Sequence, residues 1–443
     1  MITSKESTTR GARSLQLQRL VSTSLLVLFL GHLLTSRIHG AEDQADPYDA
    51  LYDVIMTRFG PDGKSYAENE STPAIFAWSE FPFDDKTFKK FDEALDAFGA
   101  LPQEKIEEYS DVKRALLQRH LWKVFDATFP FINWKEGYYW SGRTRFPKTH
   151  MDRREAVQPR IATLIQRLAL TKEQIQALPN TMAATVESGD FEESHDPADR
   201  FKRFLPGDPY SKESPWFCMS EAGDAIPASV HTGERQSRSM FLSFMRLPGG
   251  RIETRKYVEN LKKVAEVFPV GTQFALIEQA FLISDEGELI LSPLIVSIQL
   301  RAYLDLERSA NAARPDATQC LAEFVMQPRQ LMQGNAVMKA MKPDDRRFEA
   351  GDEDCQLSGG PHDPFEGRMP ATTRLNLCMA CHAGAPAKSA HAVLTTGFSF
   401  NRKASLHIEE GSPAEISKAT SAQKRDSVAW KTLHGLWRAD TGR

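Results

Sequence analysis

Toward the end of the chain, Cys378-Met379-Ala380-Cys381-His382 sets two thiols three positions apart, with an imidazole directly after the second. Sulfurs at that spacing reach the two vinyl groups of one porphyrin and form thioethers. The adjoining His is then held beneath the iron as an axial ligand. Five Cys and eleven His in 443 residues would give this pattern by chance in about one chain in a thousand. Cys378 and Cys381 are therefore the expected tethers of one covalent haem c, with His382 as the proximal iron ligand. Two other chemistries use the same atoms. A redox disulfide of the CxxC type normally sits between a strand and a helix, whereas a polar loop precedes Cys378 here. A zinc site from Cys355, His362, Cys378 and Cys381 has suitable ligand types but lacks a second close CxxC pair.

The ligand on the far side of the iron is left open. His391 lies nine residues past His382, a separation that permits a chain reversal, and His407 and His434 follow it. Met326, Met332, Met338, Met341 and Met369 lie upstream; the first four read more readily as gap-filling core residues than as ligands. An open sixth position is equally compatible with the residues. From Gly367 to Ile408 there is no Asp or Glu, while Arg368, Arg374, Lys388, Arg402 and Lys403 are present. Such a basic collar would suit haem propionates or an acidic redox partner, or it is simply a solvated loop.

With these residues in place, the chain resembles the c-type cytochromes, whose shared attachment motif is CxxCH. The resemblance covers five residues of 443. It implies a haem cofactor, attachment machinery to install it, and electron transfer to a redox partner protein. Two departures matter. No Met follows Met379, where the small cytochromes supply their sixth ligand, and the irregular Gly360–Thr373 stands where their leading helix would be. The size of the chain suggests an alternative, because a one-electron shuttle rarely needs so many further residues. That alternative is a haem-dependent extracytoplasmic oxidoreductase or a ligand-binding protein with an open sixth site. A haem-free exported binding protein is the third possibility.

Haem of this kind is attached outside the bacterial cytoplasm, and the N-terminus agrees. Lys5, Arg10, Arg13 and Arg19 precede an apolar run from Leu20 to Leu34, followed by Gly40-Ala41 and the acidic Glu42-Asp43. A basic start, a short apolar stretch and a small-residue exit form a secretory signal, although His39 is an unusual residue three positions before the cut. Ser, Thr, Gly31 and His32 interrupt the run, which is short for a bilayer span. The expected location is periplasmic or otherwise extracytoplasmic, with membrane attachment only if the segment is not cleaved. Cleavage after Ala41 removes five basic residues and one acidic residue, taking the formal charge from −4 to −8. A mildly acidic chain without a long basic run excludes a nucleic-acid partner.

The elements that must position the motif suggest an α+β protein. Residues 42–205 read as mainly helical, 206–345 as a mixed β/α region, and 346–443 as an irregular-to-helical segment that carries the haem. Phe88, Phe91, Leu95 and Phe98 share one face of a helix that closes at Gly99. A second helix is expected over Val112–Ala127 and a third over Arg153–Leu170. A fourth starts at Thr171, where Thr171 and Gln174 suit a capping box. The acidic, Pro-rich stretch 188–215 marks a boundary. Beyond it, Ser239–Leu247 is strand-like and Arg251–Val267 helical. Phe274–Ile283 and Leu289–Leu304 form a hairpin around Asp285-Glu286-Gly287. A final amphipathic helix is expected from Ser421 to Arg438. Cys218, Cys320 and Cys355 could pair in any combination that leaves one thiol over. The signatures G-x-S-x-G, H-E-x-x-H, the P-loop and the dinucleotide fingerprint do not occur, and a second CxxCH is missing.

Overall fold

Alternating side chains in strands 273–283 and 289–303 bury nearly every position on both faces, so this hairpin lies inside a sheet and not on its surface. A computed structural model describes residues 46–56, 58–59, 65–66, 85–129, 148–196, 198–199, 202–221, 238–261, 268–304, 319–341 and 408–440. By compactness the chain divides into Met1–Ala50 and Leu51–Arg443. Of the first unit, 46–50 are described and begin a helix; the second unit holds the sheet and its helices.

The helices are α1 (Pro47–Met56), α2 (Asp85–Gly99), α3 (Gln103–Glu107), α4 (Asp111–Ala127), α5 (Lys148–Arg167), α6 (Lys172–Gln176), α7 (Thr181–Glu187), α8 (Arg251–Leu261), α9 (Pro328–Met332), α10 (Pro413–Asp426) and α11 (Val428–Asp440). The strands are β1 (Arg58–Phe59), β2 (Ser65–Tyr66), β3 (Phe217–Glu221), β4 (Ser239–Arg246), β5 (Gln273–Ile283), β6 (Leu289–Tyr303), β7 (Gln319–Val325), β8 (Lys339–Ala340) and β9 (Ile408–Glu410). Seven of them form one antiparallel sheet in the order β8-β7-β6-β5-β4-β3-β9, and β1 and β2 pair separately. The protein is thus an α+β mixed fold. No helix among the described residues is long and apolar enough to cross a membrane; the run Leu20–Leu34 lies outside them.

One face of the sheet carries helices at both ends of its strands. Phe217, Met219, Met245, Phe274 and Tyr303 pack beneath Tyr257 and Val258 of α8. Ala280, Leu282, Leu294 and Val296 pack beneath Ala115 and Leu116 of α4, with Leu170, Ile175 and Leu178. Two apolar clusters therefore join the helices to this face of the sheet. The stretch 188–215 lies against the other face. Phe191 stands edge-on to Phe324 of β7 with ring centroids 4.7 Å apart, and Tyr210 edge-on to Phe244 of β4 at 5.5 Å. Phe244 and Phe324 are fully buried.

Several expected elements are present with shifted ends. In α2, Phe91, Leu95 and Phe98 are buried. The cap of α6 is the reciprocal box: the Gln174 backbone N–H donates to Thr171 Oγ1, and the Thr171 N–H donates to Gln174 Oε1. The third helix starts earlier than expected, at Lys148, and stops at Arg167. The final helix is two helices. Ser427 is extended (φ −65°, ψ 148°), and its Oγ accepts from the Trp430 N–H, so it ends α10 and caps α11. A hydroxyl that competes for backbone donors explains the break. The strands β3, β7, β8 and β9 have no counterpart in the sequence reading.

Candidate functional site

The proposed haem tethers Cys378 and Cys381, the proximal ligand His382 and the distal candidate His391 all lie outside the described residues. So do Cys355, His362, Met369 and His407. The structure does place the two ends of the segment that contains them. Met341 is 1% exposed and donates its N–H to Glu323 O of β7, beside β8 at one edge of the sheet. Ile408 begins β9 at the opposite edge. After β9 the chain returns to the body through α10 and α11. Trp430, Leu433 and Trp437 are buried there, and Trp430 packs against Trp122 of α4 with centroids 5.9 Å apart.

Of the remaining distal candidates, Met326 belongs to the cluster beneath α4, with Met332 packed against it. Met341 pairs with Val325 in a small cluster, and Met338 is 3% exposed. These methionines are core residues. His434 stacks on Trp430, one turn earlier in α11, at 5.9 Å between centroids.

A histidine that the sequence reading passed over stands out. His195 is 8% exposed, and its Nε2 is buried without a hydrogen-bond partner among the described residues. It sits in a closed loop: Glu192 and Phe204 form a bridge, and the Leu205 N–H donates to Glu192 O at 2.8 Å. The imidazole stands edge-on to the Phe204 ring at 5.7 Å. Burial lowers its pKa below the usual histidine value, against the opposing pull of the Asp196 and Asp199 carboxylates. The shift favours the neutral form of the ring. Nothing in the local pattern HDPAD would have flagged it, because its burial depends on Phe204 and on the loop closing.

A second cluster lies between α4 and the sheet. Arg119, 1% exposed, donates from Nη1 to Arg238 O at 2.5 Å and from Nη2 to Ser239 Oγ at 2.7 Å. Ser239 Oγ and Ser297 Oγ in turn donate to the two oxygens of Glu278, at 2.8 and 2.9 Å. Close by, Asp126 Oδ2 accepts from both Arg238 Nη1 and Lys424 Nζ, each at 2.7 Å. The Lys424 ammonium also lies 5.0 Å from the centre of the Trp122 ring. Every oxygen of Glu278 is engaged and both serines are fully buried, so the cluster joins α4, β4, β5, β6 and α10 and presents no exposed nucleophile.

Cys218 and Cys320 are buried on β3 and β7. Three strands separate them, about 19 Å at the usual strand spacing, far beyond disulfide reach. A Cys218–Cys320 bridge is therefore excluded. Burial, with Glu410 reinforcing and Arg251 opposing, pushes the Cys218 thiol up to about 12. Among the described residues no group of three or more His, Cys, Asp or Glu is arranged to hold a metal ion. No protein-family model, curated protein or solved structure matches this chain.

Proposed function

We propose that this chain is an exported mono-haem protein of the c-type cytochrome kind that transfers electrons through one covalently bound haem. The observation that carries the reading is Cys378-Met379-Ala380-Cys381-His382. Its donor set is two thiols for thioether bonds and one imidazole for the iron. Bound haem supplies a one-electron ferrous/ferric couple. The chain's own residues hold the ring by Cys378 and Cys381 and set its proximal ligand with His382. Support comes from the basic start and apolar run of the first 41 residues, which fit a secretory signal to the compartment where such haem is attached.

The test is the intact mass and the visible spectrum of full-length protein, exported from cells that contain haem-attachment machinery. The expected result is one haem mass on the polypeptide, a Soret band, and a sharp pair of visible bands on reduction. Cys378→Ala with Cys381→Ala is expected to abolish the covalent mass increase. A bare polypeptide, with those two thiols free or joined to each other, would end the proposal. A carbon monoxide shift in the reduced spectrum would keep the haem but move the reading to an enzyme or ligand-binding protein with an open sixth site.

A further inference from the structure

We infer that His195 is the pin of a pH-sensitive clasp: protonation of its imidazole separates the chain arm 192–196 from the returning arm 202–205. The inference is independent of the haem reading. Several described contacts join the two arms. The Leu205 N–H donates to Glu192 O at 2.8 Å, and Glu192 and Phe204 form an isolated bridge. Lys202 Nζ lies 3.2 Å from Glu192 Oε1, both side chains being exposed. The His195 ring stands edge-on to the Phe204 ring at 5.7 Å, and the two residues are 8% and 0% exposed. Ends that meet around an interior filled by the loop's own side chains make an Ω-loop. One backbone hydrogen bond and a surface ion pair contribute little each, so burial of the two rings carries most of the closure.

That burial suits only the neutral imidazole. Nε2 is enclosed without a hydrogen-bond partner among the described residues. A proton there adds a charge, and an N–H without an acceptor, to a site shielded from water. Among the described residues, the carboxylates that act on the ring are Asp196, next to it in the first arm, and Asp199, farther along the loop; desolvation outweighs both. The remaining charged pair at the neck, Glu192 and Lys202, is engaged with itself, and Phe204 faces the ring as an apolar surface. Opening the arms returns the imidazole to water, where its pKa is about 6.5. The closed form is therefore fully favoured above that pH and loses its advantage as the pH falls through the lower, folded value. The separation stays local, because Phe191 on Phe324 and Tyr210 on Phe244 hold the stretch to the sheet outside the two arms. His120 is also buried but sits inside α4 against Tyr52, so freeing it means taking the helical layer apart.

The experiment is amide hydrogen exchange on the full-length protein from pH 8 to pH 5, with the intrinsic exchange rate divided out. Protection of the Leu205 amide is expected to fall by up to about tenfold for each pH unit between 6.5 and the folded value. The Asp285 amide, which donates to Leu170 O at 3.0 Å away from the loop, is expected to stay protected throughout. In His195→Gln, which cannot take up the proton, Leu205 protection is expected to be flat. Leu205 protection that ignores pH in the wild type overturns the inference, and so does an equal fall in His195→Gln. Parallel loss at Asp285 overturns it as well, since the whole body is then unfolding. Should His195→Gln not accumulate, the wild-type imidazole is titrated by nuclear magnetic resonance. A midpoint below 6.5 that coincides with the exchange midpoint supports the clasp, and a midpoint at or above 6.5 overturns it.

Discussion

Asp126 accepts from two cations at once, Arg238 and Lys424, and its side chain is 9% exposed. Removing one member of a buried charge cluster leaves the others uncompensated, which costs about 3–5 kcal/mol. Asp126→Ala is therefore expected to lose that much stability, read as a lower denaturant midpoint. A loss under 1 kcal/mol would mean that the cations find water or another carboxylate. At His195 the effect depends on pH. Its pKa is lowered in the folded chain, so between that value and the unfolded value of about 6.5 the unfolded state binds more protons. The stabilisation is present above pH 6.5 or so and is lost as the pH falls through the folded pKa. Unfolding free energy measured from pH 8 to pH 5 is expected to fall more steeply for the wild type than for His195→Gln; parallel curves would refute it.

At the scale of elements, the hairpin β5–β6 turns on Gly287, which has φ +77°. A non-glycine residue in that conformation costs about 1–2 kcal/mol. A Cβ there would lie 3.6 Å from His434 Nε2, an ordinary contact, so conformation alone sets the penalty. Gly287→Ala is expected to lower the thermal midpoint by a few degrees. An unchanged midpoint would show that the turn adapts. This hairpin was legible in the sequence because two long β-branched and aromatic runs flank Asp-Glu-Gly. The helices α2 and α4 were legible for the same kind of reason, a 3.6-residue apolar period with caps. The short strands β8 and β9, of two and three residues, carry no period at all. They exist because longer neighbours offer them hydrogen bonds.

For the whole molecule, the sheet order has a direct consequence. Ile408–Glu410 pair with β3, Lys424 reaches Asp126, and Trp430 packs on Trp122. Residues 408–440 thus finish a body that begins some three hundred residues earlier, and segment 342–407 joins β8 at one edge of the sheet to β9 at the other. A chain ending at residue 407 is expected to lose cooperative thermal unfolding, followed by circular dichroism, because it uncovers Trp122 and takes Lys424 away from Asp126. A truncated chain that melts like the full-length protein would show instead that the C-terminal part folds separately.

Taken alone, the amino-acid sequence determined the α+β class, most helices, the central hairpin and the five-residue motif on which the haem reading rests. Each of these is a local signal: a period, a cap, a turn residue or a spacing of a few positions. Tertiary structure decided what joins distant segments. It laid the stretch 188–215 against the sheet, brought Asp126, Arg238 and Lys424 together, and buried His195 without a hydrogen-bond partner for Nε2 among the described residues. Burial and charge pairing depend on which surfaces meet once the chain is folded, and no short window of sequence contains that information.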